Sequence, residues 1–323
     1  MVTTTAPAAD SRAREGAASA PVAEPNFFIV GAPRAGTSSL WRYLGQHPEV
    51  FMTALKEPTF FCHTRPPHGI ATLEDYLALF ADARGHKAIG EASPDYFASP
   101  ESPGLIHGRY PDAKIIIILR NPVDRAYSLY RLSCSLGVER MSSFERALAR
   151  EEDRLNSERF KEKNPVFWRA CIYFRAAFNS ESIHRYQQLF SRERVHVLLL
   201  KDLKRRPIET MRAVYSFLGV DPQFVPDFDV RNKSEYPLSV PAQWVLHRVW
   251  ARYARARRRR GRAKPTAIDR VFEAAFRLNN SVGTRLRVNK VKPSTRQALA
   301  ALYRKDTLRT ADLIGRDLSD WLA

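Results

Sequence analysis

A short apolar run, Phe27-Phe28-Ile29-Val30, ends at Gly31, and a loop bounded by Gly31 and Gly36 leads directly into helical spacing from Thr37. This junction limits the fold more than any other stretch. A continuous apolar strand is buried on both faces, so it needs strands on both edges and helices above and below. Leu40, Trp41 and Leu44 share one face of the following helix, which stops by His47-Pro48. The same order recurs twice. Lys114-Ile115-Ile116-Ile117-Ile118-Leu119 is a β-branched strand ending at Arg120. Asn121 and Pro122 then read as the cap and first turn of a helix lined by Val123, Ala126, Tyr127 and Tyr130. Val195 to Leu200 reads as a third strand. Pro207 opens a helix with Ile208, Met211, Val214, Tyr215 and Leu218 on one face, ended by Gly219. This alternation predicts an α/β chain, a P-loop-like parallel sheet flanked by helices.

The 323 residues suit one large α/β domain with extensions, or two small domains. Residues 1–25, rich in Ala, Thr, Pro and charge, are expected to be a disordered tail, and 26–323 the folded domain. Further helices are expected at 143–155 and 181–190, with a basic helical insertion at 240–290. Pro293 to Ala323 reads as one long helix plus a short tail. The N-terminal stretch lacks the apolar core of a secretory signal, and no segment approaches the length of a membrane span. Cys62, Cys134 and Cys171 are widely spaced and suggest neither zinc nor disulfides. A reducing, cytoplasmic setting is the expectation. Lys and Arg total 52 against 34 Asp and Glu, a net charge of +18. Such a balance favours anionic partners: nucleotides, sulfated or phosphorylated substrates, nucleic acid or an acidic membrane surface.

Gly31-Ala32-Pro33-Arg34-Ala35-Gly36-Thr37-Ser38 has the glycine spacing of a nucleotide triphosphate loop, but Thr37 stands where that loop carries lysine. Gly31 and Gly36 let backbone amides approach an oxyanion, and the helix N-terminus adds its dipole. Thr37, Ser38 and Ser39 supply hydroxyls, and Arg34 supplies a fixed bidentate charge. No acidic strand end suited to magnesium is evident in the sequence. From Gly31 to Leu40 the chain resembles the sulfotransferases that use 3'-phosphoadenosine-5'-phosphosulfate (PAPS), in their Golgi-type and bacterial glycan-sulfotransferase branch. Their phosphosulfate loop reads Gly-x-x-Lys/Arg-x-Gly-Thr-[ST]-[ST]-Leu. The resemblance implies that Arg34, Ala35, Gly36, Thr37, Ser38 and Ser39 bind the 5'-phosphosulfate. It also implies that Arg34 stabilises charge on the bridging oxygen as the sulfuryl group leaves. Many members carry lysine there; arginine acts by electrostatics alone.

A second anion site is expected at Arg120 and Ser128, which a strand end and the next helix direct to one point. Leu119-Arg120-Asn121-Pro122-Val123-Asp124-Arg125-Ala126-Tyr127-Ser128-Leu129-Tyr130 matches the family's 3'-phosphate motif, Leu-Arg-[ND]-Pro-x-x-Arg-x-x-Ser-x-Tyr. Carried over, Arg120 and Ser128 hold the donor's 3'-phosphate. Residues 26–230 carry the resemblance. It resumes at 289–323, where Lys290, Lys292 and Arg296 are expected to close over that phosphate. No metal is expected.

Sulfuryl transfer to a hydroxyl requires a base. Lys56-Glu57-Pro58-Thr59-Phe60-Phe61 resembles the family's Lys-Glu-x-x-Phe-Phe, which makes Glu57 the expected general base, with His63 as a substitute. The heparan sulfate 3-O-sulfotransferase pattern has His, Asp and Lys where this chain has Thr59, Cys62 and Ala92. The acceptor is therefore expected to be a hydroxylated small molecule, glycan or glycolipid rather than heparan sulfate by default. Arg252 to Lys264 contains eight basic residues, with Trp250 and Tyr253 nearby. It reads as a solvated helix, or as a contact for a polyanionic acceptor or an anionic membrane surface. Specific nucleic-acid recognition is not expected, since no known module surrounds it. Two other readings compete: a P-loop kinase or NTPase, and a non-catalytic basic nucleotide- or membrane-binding protein. The missing lysine and the Arg120/Ser128 pair oppose the first; Glu57 beside a competent loop opposes the second.

Overall fold

The computed structural model describes residues 23–62, 69–163, 169–229, 235–259, 266–286 and 291–323. Its frame is a five-stranded parallel sheet. In chain order the strands are β1 (Phe27–Gly31), β2 (Val50–Met52), β3 (Ala88–Ala92), β4 (Lys114–Leu119) and β5 (Val195–Leu199). In space they run β2-β3-β1-β4-β5. β1 is central: Phe27 pairs with Gly90 on one edge and with Lys114 on the other. All five residues of β1 and Ile115 to Leu119 of β4 are buried, as a sheet covered on both faces requires. Each buried isoleucine contributes roughly 1.5–3 kcal/mol of transfer free energy.

The helices are α1 (Thr37–Leu44), α2 (Leu73–Ala78), α3 (Ser102–Arg109), α4 (Pro122–Ser135), α5 (Phe144–Ala149), α6 (Glu151–Asn156), α7 (Glu158–Lys163), α8 (Ser180–Leu189), α9 (Leu200–Arg205), α10 (Pro207–Leu218), α11 (Val240–Arg259), α12 (Ala267–Leu286) and α13 (Pro293–Ile314). Asn121 caps α4 by accepting from the amides of Val123 and Asp124. Gly219 ends α10 at φ 82°. Three expectations need correction. β5 stops at Leu199, and Leu200 opens α9. The single helix expected at 143–155 is two, joined at Arg150. Ile208 is exposed, leaving Met211, Val214, Tyr215 and Leu218 as the buried face of α10. Residues 1–22, most of the expected tail, lie outside the described residues.

Two ties bring α13 and α4 together, and this matters for the site. Arg125 is fully buried; its guanidinium donates to Asn179 Oδ1 at 2.6 Å and to the Ala176 and Phe178 carbonyls. Asp306 of α13 accepts from the amides of Asn179 and Ser180, both at 2.9 Å. The motif arginine Arg125 is therefore a structural anchor. Arg296 of α13 pairs with Asp124 of α4 at 2.5 Å, at the end of the helix nearest the β4 terminus.

Candidate active site

The loop after β1 is shaped for close approach. Gly31 (φ 154°) and Gly36 (φ 105°) hold positive φ. A Cβ at Gly31 would lie 2.3 Å from Phe97 Cβ, so no other residue fits there. Among the described residues, the amides of Arg34, Gly36, Thr37 and Ser38 donate to no backbone carbonyl outside their own helix. Those N–H groups, at the positive end of α1, could hold an anion. Ala35 and Thr37 are buried, while Ser38 and Ser39 are half-buried at the first turn.

Arg34 sits at φ 64°, an uncommon conformation for a side chain-bearing residue. From there its Nε donates to Ser128 Oγ at 3.2 Å, and its carbonyl accepts from Arg120 Nη1 at 3.2 Å. The two anion sites read separately from the sequence thus adjoin. Burial and the guanidinium groups of Arg120 and Arg131 lower the pKa of Arg34, while Glu57 raises it. Burial, Arg131 and Arg296 lower that of Arg120, while Asp124 raises it. Arg34 and Arg120 thus each feel Arg131, and each has one carboxylate working the other way, Glu57 for Arg34 and Asp124 for Arg120. Guanidinium groups partly buried side by side are what an anionic ligand would neutralise.

Arg131 was not a candidate from sequence. It lies three residues past Ser128, on the same side of α4, and that spacing was the available signal. Lys292 stands at the N-cap of α13 with its amine 3.8 Å from Glu145 Oε2, beside the cluster rather than within it. Lys290 and His63 lie outside the described residues.

Glu57 follows β2 and is half-exposed, with Lys56 Nζ 2.9 Å from its Oε1. The segment carrying it is held by a buried carboxylate that the sequence did not reveal. Glu91, in β3, is fully buried. Its Oε2 accepts from Ser93 Oγ at 2.6 Å, and its Oε1 from Tyr96 at 2.7 Å and Tyr76 at 3.3 Å. Ser93 Oγ in turn accepts from the Thr59 amide at 3.0 Å, and Tyr96 Oη from the Phe61 amide at 3.2 Å. Glu91 thereby clamps the backbone two and four residues beyond Glu57 through two hydroxyls. Thr59, at φ 53°, is a second strained position, so cation loop and carboxylate loop each carry one. Thr59, Cys62 and Ala92, where the chain departs from the heparan sulfate pattern, are all buried.

Burial pushes the Glu91 carboxyl up to about 7, against the hydroxyls of Ser93, Tyr96 and Tyr76. A raised folded value means that the native state holds this proton more tightly than the unfolded chain. Its stabilising contribution is complete below the ordinary value near 4.5 and is lost as pH rises to about 7. Glu91→Gln, an uncharged isostere, should remove that dependence. Denaturant unfolding at acid and at mildly alkaline pH should show a larger loss of stability for wild type, by up to roughly 3 kcal/mol. Parallel curves for the two proteins would refute the shift.

Comparison with known proteins agrees with this geometry. Residues 24–235 match the sulfotransferase domain family. Mouse carbohydrate sulfotransferase 15 is 29% identical over 258 residues, covering 61% of this chain and 44% of that protein. Mouse heparan sulfate glucosamine 3-O-sulfotransferase 6 is 38% identical over 113 residues, covering 34% of this chain and 31% of that protein. The chain spans about half the length of the first curated relatives it matches. A crystal structure of a sulfotransferase from Alicyclobacillus acidocaldarius superposes with a TM-score of 0.66 at 31% identity, covering 94% of this chain and all of that one. With both the loop chemistry and the fold accounted for, the chain belongs to the sulfotransferase family.

Proposed function

We propose that the chain transfers a sulfuryl group from PAPS to a hydroxyl of a carbohydrate, glycolipid or similar acceptor. The observation that carries this reading is the adjacency of two anion sites, joined by the Arg34–Ser128 hydrogen bond and backed by Arg120 and Arg131. A nucleotide with phosphates at both its 5' and 3' positions satisfies both; ATP satisfies one. In this reading the loop from Arg34 to Ser39 holds the 5'-phosphosulfate. Arg120 and Ser128 hold the 3'-phosphate, flanked by Arg131 and Arg296, with Lys292 at the start of α13. The acceptor oxygen bonds to sulfur as the bond from sulfur to the bridging oxygen breaks. Glu57 takes the hydroxyl proton, and Arg34 meets the charge left on the 5'-phosphate. No step calls for a metal ion.

The acceptor class rests on the relatives, whose names refer to carbohydrate and heparan sulfate. A cytoplasmic setting is kept in the proposal because Cys62, Cys134 and Cys171 are buried thiols.

Calorimetry tests the donor. 3'-Phosphoadenosine-5'-phosphate should bind at least ~10-fold more tightly than ADP, about 1.4 kcal/mol. Arg120→Ala should erase that preference, with little effect on ADP. Equal affinities in wild type would end the two-site reading, and equal weakening of both nucleotides in the variant would remove Arg120 from 3' recognition.

A further inference from the structure

Residues 240–286 hold twelve Lys and Arg against two Asp and Glu, a net +10 out of the chain's +18. The matched family region ends at 235. The structure turns this charge run into two antiparallel helices. Asn279 of α12 donates to Gln243 Oε1 of α11 near one end (2.6 Å), and Tyr253 bonds Thr266 near the other (2.8 Å). The pair is rooted on the C-terminus of α4: Gln243 and Asn280 both donate to the Ser135 carbonyl. Gly283 lets α12 press onto the backbone of Pro237 and Leu238, where a Cβ would come within about 2.2 Å.

What the pair leaves outside is unusual. The three most exposed large apolar side chains among the described residues, Leu286 (71%), Val271 (68%) and Leu278 (65%), all lie on α12. With Ile268 they form one stripe at helical spacing, turned well away from the buried Asp269, Asn280 and Gly283. α11 repeats the design, with exposed Val245 and Val249 one turn apart. Arg248, Arg252 and Arg255 flank the α11 stripe; Arg270 and Arg285 flank that of α12. None of these five pairs with an acidic group among the described residues. The two acids present are engaged, Asp269 with Arg257 and Glu273 with Arg277.

We infer that the α11–α12 pair docks on an anionic phospholipid surface, its apolar stripes in the headgroup boundary and its arginines on the lipid phosphates. This inference does not rest on the reaction proposed above. It shifts the contact anticipated at Arg252–Lys264, part of which lies outside the described residues, to the outer faces of both helices. Charge and apolarity decide the occupant together. A second copy would bring a like charge against +10. A soluble polyanion would use the arginines and leave the stripes in water. An anionic bilayer takes both. No helix among the described residues is long and apolar enough to cross a membrane, so the contact lies along the surface.

Co-sedimentation of the full chain with vesicles tests this. It should bind phosphatidylcholine vesicles containing about one-third phosphatidylglycerol and ignore phosphatidylcholine alone, at about 0.1 M salt. Arg248→Gln, Arg252→Gln and Arg255→Gln combined should weaken binding roughly 100-fold. Val271→Ser with Leu278→Ser should weaken it roughly 10-fold. Unchanged cooperative thermal unfolding certifies the fold of each variant. Equal binding to both vesicle types would overturn the inference. So would loss with the arginine variant but none with the apolar one, with heparin binding in its place, which would make this a soluble-polyanion site. Failure to bind vesicles alongside a concentration-dependent dimer that the apolar variant abolishes would assign the face to a second copy.

Discussion

Glu57→Gln should lower sulfuryl transfer from labelled donor to a glycan acceptor by ~10²–10⁴-fold, with the affinity for 3'-phosphoadenosine-5'-phosphate unchanged. Glu57 stands close enough to Arg34 to stabilise its charge, yet it is half-exposed and can meet an acceptor arriving from solvent. Its backbone is fixed from behind by the Thr59–Ser93–Glu91 and Phe61–Tyr96–Glu91 hydrogen bonds. Glutamine keeps the volume and can still accept from Lys56 Nζ, so the loop should hold its shape. What is lost is the ability to accept a proton as the new bond to sulfur forms. The Lys56 pair alone would also suit an ordinary surface carboxylate, so pairing does not identify the base; turnover does. Full activity in the variant would move the base elsewhere, with His63 the first residue to test.

The strands legible in the sequence were those with a continuous apolar run: β1 and β4, buried on both faces, and the edge strand β5, Val-His-Val-Leu-Leu. β2 has only three residues. β3 reads Ala-Ile-Gly-Glu-Ala, a composition poor in strand formers. It is nevertheless a strand, because it lies against the aromatic β1: a Cβ at Gly90 would come within 2.5 Å of the Phe27 ring. Small residues were selected there by the neighbour, which the local sequence does not display. The same limit hid Glu91. A single Glu in a sequence is normally a solvated one. Its three hydroxyl partners come from its own strand end and from Tyr76, which only the folded sheet brings near. The two candidate anion-binding segments were legible because their pattern is local: a glycine pair before a helix, and an arginine and a serine eight residues apart. Their direct contact was not, since Arg34 and Ser128 are 94 residues apart in the chain.

Arg34→Ala should lower turnover by ~10²–10³-fold at saturating donor, the usual effect of removing one preorganised group that meets developing charge. Two features separate this from simple loss of fold. Arg34 holds φ 64°, which a β-carbon disfavours by roughly 1–3 kcal/mol, so the backbone is strained with or without the guanidinium. Arg34→Gly would relieve that strain while removing the same charge. It should therefore match Arg34→Ala in lost turnover yet melt at a higher temperature. Arg34→Lys restores a cation but not the planar fork through which Nε reaches Ser128 while the rest of the guanidinium remains available to ligand. Its turnover should fall between those of wild type and the alanine variant. If charge at this point is what matters, activity should follow the order Arg, Lys, then Ala with Gly, while stability places Gly first. If activity instead followed stability, Arg34 would be a structural residue of the loop, and stabilisation of the leaving phosphate would have to come from the loop amides and Arg120.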